Sequence, residues 1–196
     1  MKKLSIILAL LFAPAKAYLQ WEMSSVQKDV SAYLKAIEDQ DLEKMISYVN
    51  PAVLEVIPET EFLNLFSGIF DDPEFMISYS NGTFVDATKI VSDQGTKYRT
   101  VFYTTQLNLT IPEMEASEDL LELMKYQYGE KNVKYHEADS KIEVMIIDWM
   151  YAIKNPTDTN WTFLTGNANY LVENLIPQIV IDTFALEVVN WMAQRI

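Results

Sequence analysis

Val30-Ser31-Ala32-Tyr33-Leu34-Lys35-Ala36-Ile37, followed by Glu38-Asp39-Gln40-Asp41 and Leu42-Glu43-Lys44-Met45, is the stretch on which the fold turns. Val26, Val30, Tyr33, Leu34 and Ile37 recur at the spacing of one helix face. Ahead of them, Ser24-Ser25-Val26-Gln27 has the form of a capping box, with Ser24 as N-cap. The polar residues Glu38 to Asp41 break the pattern, and Leu42, Met45, Ile46 and Val49 form a second, short stripe. Asn50-Pro51 is read as its end, because the residue before a proline disfavours helix. A third helix is expected from about Thr60 to Phe70, turning Leu63, Phe66, Ile69 and Phe70 inward and stopping at Asp71-Asp72-Pro73.

After Pro73 the period changes. Residues 75 to 91 read as two short strands about the turn dipeptide Asn81-Gly82, and Ser92 to Thr96 as a hairpin connection. A long strand is expected from Lys97 to Ile111, with Val101, Tyr103, Leu107, Leu109 and Ile111 on one face and Pro112 closing it. Ser117 is read as the cap of a helix to Tyr128, whose apolar face is Leu120, Leu121, Leu123 and Met124. Another strand runs from about Lys141 to Lys154, and Asn155-Pro156-Thr157-Asp158 turns it back into Trp161-Thr162-Phe163-Leu164. Helices are expected from about Tyr170 to Leu175 and from Pro177 onward. Helices first, then strands joined by turns too short for a parallel crossover, make one α+β domain with an antiparallel sheet over residues 18–196.

The helix Val30 to Ile37, the polar break and the short helix at Asp41 to Met45 resemble the opening of nuclear transport factor 2-like domains. The Trp161-Thr162-Phe163 strand is similar to the closing strand of exported bacterial members. The resemblance covers roughly residues 24 to 166 and rests on an order of elements, not on a catalytic signature. It implies N-terminal helices packed in a strongly curved antiparallel sheet, a cone with a pocket often at its mouth, to which the C-terminal helices are an addition. Members include isomerases, dehydratases, small-ligand binders and structural adaptors, so the function must be read from the site.

Residues 1–17 read as a bacterial secretory signal peptide. Lys2 and Lys3 form a basic start, Leu4 to Ala13 an apolar run, and Ala15-Lys16-Ala17 a cleavage site, which makes Tyr18 the mature N-terminus. The run is shorter than the roughly 20 residues that span a bilayer; the alternative is an uncleaved anchor. The expected location is the periplasm or the exterior of a bacterium. The formal charge is −13, and losing Lys2, Lys3 and Lys16 makes the mature chain more acidic still. Nucleic acid and anionic lipid are therefore poor partners. With no cysteine, disulfides, thiolate metal sites, a cysteine nucleophile and a lipoprotein anchor are excluded. No further stretch reads as a transmembrane helix.

His136, the only histidine, lies in a polar setting and reads as a surface residue. The acid clusters at Asp71-Asp72, Glu113 to Asp119 and Glu137 to Asp139 lack calcium-loop spacing, so no metal is expected. No dinucleotide, P-loop or nucleophile-elbow motif occurs, so no cofactor is expected. Asp148 is the acid that stands out. Alternation places it in a row with Ile142, Val144, Ile146 and Met150. A buried carboxylate in such a row has its pKa raised and can act as a general base or acid. Tyr79, Tyr103 and Tyr151 are ligand-binding candidates by residue type. In the C-terminal segment, Val180, Phe184, Val188 and Trp191 form one stripe, with Ile181, Ala185, Val189 and Met192 beside it. It is read as a cover over the open side of the cone, with a homodimer interface as the alternative.

The expected function is a non-enzymatic module that binds a small apolar molecule or a protein partner, with Asp148 in a structural role. The alternatives are a cofactor-free isomerase, dehydratase or hydrolase with Asp148 as base, and a structural cell-envelope protein. Asp148 at the floor of an open pocket, with a tyrosine or a second acid within hydrogen-bond reach of a common point, would reverse the order of the first two.

Overall fold

Two long strands in full register carry the rest of the chain. β3 (Thr96–Thr110) and β5 (Lys141–Lys154) pair antiparallel from Lys97↔Lys154 to Thr110↔Lys141. β1 (Met76–Ala87) and β2 (Val91–Asp93) add to β3, and β4 (Val133–His136) and β6 (Thr162–Thr165) add to β5, all antiparallel. The fold is α+β: a six-stranded antiparallel sheet with helices. The computed structural model describes residues 22–71, 76–110 and 114–194, without the side chains of 114–117. The signal-peptide reading and those placed on Pro73, Ile111 and Pro112 lie outside the described residues.

Period-2 alternation along the paired strands sorts side chains to two faces. On one face, Val101, Met150, Ala152 and Phe163 pack with Val26, Val30 and Leu34 of α1 (22–38). Farther along that face, Leu107, Leu109, Ile142 and Val144 pack with Leu120, Leu121 and Met124 of α5 (Met114–Tyr128). The other face carries Tyr98, Tyr151 and Ile153, covered by α6 (Asn169–Leu175) and α7 (Gln178–Ala193) through Val172, Val180 and Phe184. Burying each such aliphatic side chain is worth about 1.5–3 kcal/mol. Trp161, wholly buried, ties α1 to β6: its indole N–H donates to Ser25 Oγ at 3.0 Å and its backbone N–H to Asp29 Oδ2 at 2.9 Å.

Several local expectations are corrected. Ser24 does not cap α1, because the helix already includes residue 22. Pro51 opens a helix where an end was expected. α2 (Leu42–Ser47) is followed by α3 (Pro51–Val56), with Asn50 as N-cap accepting the Ala52 N–H at 3.0 Å. A proline in the first turn loses no helical hydrogen bond. Asn81-Gly82 is a bulge inside one strand, not a turn between two, with register shifts at Ser80/Thr83 and again at Phe84/Asp86. Gly82 is needed there because β1 passes under α1: an added Cβ would lie 2.9 Å from Leu34 Cβ. Its N–H donates to Glu38 Oε1 at 2.7 Å. Bulges bend the strand that carries them and increase its twist.

α4 (Glu59–Phe70) buries none of its residues, although Leu63, Phe66, Ile69 and Phe70 were expected inward. α5 starts at Met114, earlier than the expected cap at Ser117, and Leu123 on its expected apolar face is 53% exposed. β4 is an addition to the expected strands. The stripe Val180, Phe184, Val188 and Trp191 is buried as a unit, but against the face of the sheet opposite α1, not over its open side.

Candidate functional site

α1 and α5 cover the two ends of one sheet face and leave its middle uncovered. In that gap stand Tyr103 and Thr105 of β3 and Ile146 and Asp148 of β5, the walls of a cavity of about 570 Å³. Leu34 and Ile37 of α1 close one side, Gln127 and Tyr128 of α5 the other, and Phe66 and Phe70 of α4 lie across it. This is why α4 packs its aromatic side without being buried. Its rings continue a ladder to the sheet: Phe62–Phe66 at 4.6 Å, Phe66–Phe70 at 6.2 Å and Phe70–Tyr79 at 6.5 Å.

The cavity reaches the edge of β5. β4 pairs with residues 141–144 and β6 with residues 150–153, so 145–149 have no strand neighbour on that side among the described residues. The chain leaving β6 brings Asn167 into this gap. Gly166 makes the approach feasible: an added Cβ there would overlap the Trp149 indole.

Asp148 is directly opposite Tyr103 in the register. Its Oδ1 accepts the Trp149 N–H at 2.8 Å and Asn167 Nδ2 at 3.3 Å, and Tyr103 Oη lies 3.5 Å from its Oδ2. Asn167 Nδ2 also lies 3.5 Å from Oδ2, so Oδ1 holds the short contact and Oδ2 only long ones, which leaves Oδ2 the freer acceptor towards the cavity. Burial raises the Asp148 pKa above the ordinary carboxylate value, and the donors from Trp149, Asn167 and Tyr103 offset part of that. Tyr103 is held well above the ordinary phenol value, first by burial and then by the charge of Asp148. Tyr128 is raised by burial and by Asp148, and Tyr79 by burial and Tyr128. All three phenols are thus neutral donors at ordinary pH. A carboxylate base and a phenol donor facing one largely apolar space can move a proton and steady the oxygen that gains charge.

Of the sequence candidates, the structure brings Asp148, Tyr79 and Tyr103 to this cavity. Tyr151 does not line it: it faces the other side of the sheet, edge-on to Trp149 at 5.2 Å and near Phe184. His136 is exposed at the end of β4, as expected of a surface residue, its Nε2 3.2 Å from Glu143 Oε2. Sequence reasoning missed Asn167, Tyr128, Gln127 and the roof formed by α4. Thr165-Gly166-Asn167 after a strand reads as an ordinary turn, and only the Trp149 contact reveals the role of Gly166. Among the described residues, no three His, Cys, Asp or Glu side chains gather as a metal site, and no helix is long and apolar enough to cross a membrane.

No family model matches the chain, and no curated protein matches it. One solved structure that does match is described as an M. tuberculosis LEH-like epoxide hydrolase, at 10% identity and a TM-score of 0.28, over 84% of this chain and 98% of that one. At that level of superposition the match carries no conclusion about the activity or family of this chain.

Proposed function

We propose that the protein is a cofactor-free acid–base enzyme, an isomerase, dehydratase or hydrolase acting on a small, mostly apolar molecule. The single observation behind this reading is the pairing of Asp148 with Tyr103 across β5 and β3, both facing a cavity of about 570 Å³. Asp148 accepts a proton from an activated C–H or from water. The Tyr103 hydroxyl, neutral because of its raised pKa, turns its O–H from its long contact with Asp148 to the substrate oxygen that gains charge. Asn167 and the Trp149 N–H hold the carboxylate in orientation. The apolar walls, Leu34, Ile37, Phe66, Phe70 and Ile146 among them, select a substrate with little charge.

The same reading places the chain in the nuclear transport factor 2-like superfamily. Support comes from the element order and from α1 packed on the face of an antiparallel sheet whose first strand is twice bulged. It also includes export: the basic start, apolar run and Ala15-Lys16-Ala17 make Tyr18 the mature N-terminus.

The non-enzymatic alternative keeps one specific support, the Trp149 N–H on Oδ1, which is what a structural aspartate would accept. Proton abstraction from 5-nitrobenzisoxazole, an activated carbon acid, separates the two. The protein should accelerate it beyond free carboxylate, and Asp148→Asn should lower the rate by about 10²-fold or more. A wild-type rate no better than free carboxylate, or an undiminished rate in the variant, would leave the cavity as a binding site only.

A further inference from the structure

A second cavity, of about 460 Å³, lies at the opposite end of α1, lined by Glu22 and Met23 of the helix, Lys97 and Arg99 of β3, and Lys89 and Ile90 of the segment before β2. Arg99 is its key residue. The side chain is almost entirely enclosed, 4% exposed. Nε donates to the Thr88 carbonyl at 3.1 Å, Nη2 donates to the same oxygen, and Nη2 also lies 3.8 Å from Met23 Sδ. Nη1 has no protein acceptor among the described residues, and no carboxylate there lies within ion-pair distance of the guanidinium. Glu22, the acid in the lining, pairs instead with Lys97 at 2.6 Å. Burial pulls the Arg99 pKa down, opposed by the charges of Glu22 and Asp86. The guanidinium nevertheless stays protonated, as arginine does in proteins.

A buried cation without a direct counter-ion is costly, and the uncommitted N–H donors of Nη1 can give a carboxylate a charge-assisted hydrogen bond. The lining charges decide which anion fits. Among the described residues, Lys89, Lys97 and Arg99 stand against Glu22, which pairs with Lys97, and against Asp86, whose charge acts on Arg99. That leaves an excess of one positive charge in a chain of formal charge −13, which suits a single negative charge. Met23, Ala87 and Ile90 supply apolar wall for a hydrocarbon portion. The volume is that of a small-molecule site, about 300–1,000 Å³. We propose that this cavity is a binding site for an organic monocarboxylate, its carboxylate on Nη1 of Arg99 and its apolar part against Met23 and Ile90. Among the described residues the site shares no lining residue with the cavity of Asp148, and it stands whether or not Asp148 is catalytic.

The side-chain Nε–H resonances of the full ¹⁵N-labelled chain test it, because the chain has only two arginines, Arg99 and Arg195. Sodium octanoate should shift one of the two resonances saturably, and Arg99→Gln should identify it as Arg99. Octan-1-ol should leave the resonance in place, and inorganic phosphate should bind at least about tenfold more weakly than octanoate. Lys89→Gln, at an exposed position, should weaken octanoate several-fold without disturbing the fold. If Arg99→Gln does not fold, Lys89→Gln and the wild-type ligand series still decide. Asp148→Asn should bind octanoate as the wild type does. An Arg99 resonance that octanoate does not move, an equal response to octan-1-ol, phosphate as tight as octanoate, or octanoate binding lost in Asp148→Asn would each overturn the proposal.

Discussion

Gly166→Ala is a small change with a defined consequence. An ideal Cβ at residue 166 would sit 2.5 Å from Cε2 of Trp149 and overlap the ring atoms beside it. Carbon atoms in contact rest about 3.5–4.0 Å apart, so the indole or the backbone at 166 must retreat by about 1–1.5 Å. The indole is only partly buried and lines the cavity of Asp148, but on one side it packs edge-on against Tyr151 at 5.2 Å, and Tyr151 is buried beneath α7. Overpacking of this kind costs about 1–3 kcal/mol. For a domain of this size each kcal/mol lowers Tm by about 2–4 °C, so calorimetry should show a fall of roughly 2–12 °C. The displacement also reaches the site. The Trp149 N–H holds Asp148 Oδ1, and Asn167, next in sequence to the substituted residue, holds the same carboxylate. A shift of about 1 Å in a catalytic group can cost about 10²-fold in rate. The variant should therefore lose activity on 5-nitrobenzisoxazole while Asp148 itself is intact. An unchanged Tm would refute the close contact of Gly166 with Trp149. A lowered Tm with full activity would show that this contact does not position Asp148.

Asp148→Asn should also report on stability. The folded-state pKa of Asp148 is raised, so wild-type stability falls as pH rises from the ordinary aspartate value through the raised one, and below that range the effect is absent. In urea unfolding, the stability of Asp148→Asn relative to wild type should thus increase with pH across that window; a constant difference, or the opposite slope, would show that the carboxylate is fully compensated in the fold. Trp161→Phe removes the indole N–H bond to Ser25 and leaves space in a fully buried site, for a loss of about 1–3 kcal/mol with the sheet intact; a change below about 0.5 kcal/mol would contradict the tie between α1 and β6. N-terminal sequencing of the protein from its host should begin at Tyr18, and intact Met1 in the cytosolic fraction would count against export.

The α+β class and most elements were legible because periodicity is a local property. The helix face from Val26 to Ile37, the strand from Lys141 to Lys154 and the turn at Asn155 to Asp158 need only neighbouring residues to be read. The same locality explains the errors. Asn-Gly is a turn in most local contexts, and only the passage of β1 beneath Leu34 makes Asn81-Gly82 a bulge. Pro51 can end one helix or begin another, and Asn50 settles it by capping Ala52. Alternation put Asp148 in an aliphatic row, so the sequence singled out the residue. It could not place Tyr103 opposite it, because register is a relation between strands about 45 residues apart. Nor could it show that α1 and α5 stop short of each other over that row, leaving a space instead of a filled core. Asn167, the roof formed by α4 and the buried guanidinium of Arg99 depend on packing between distant segments. Burial and counter-ions are set by what the whole chain brings together, and no single stretch of sequence carries them.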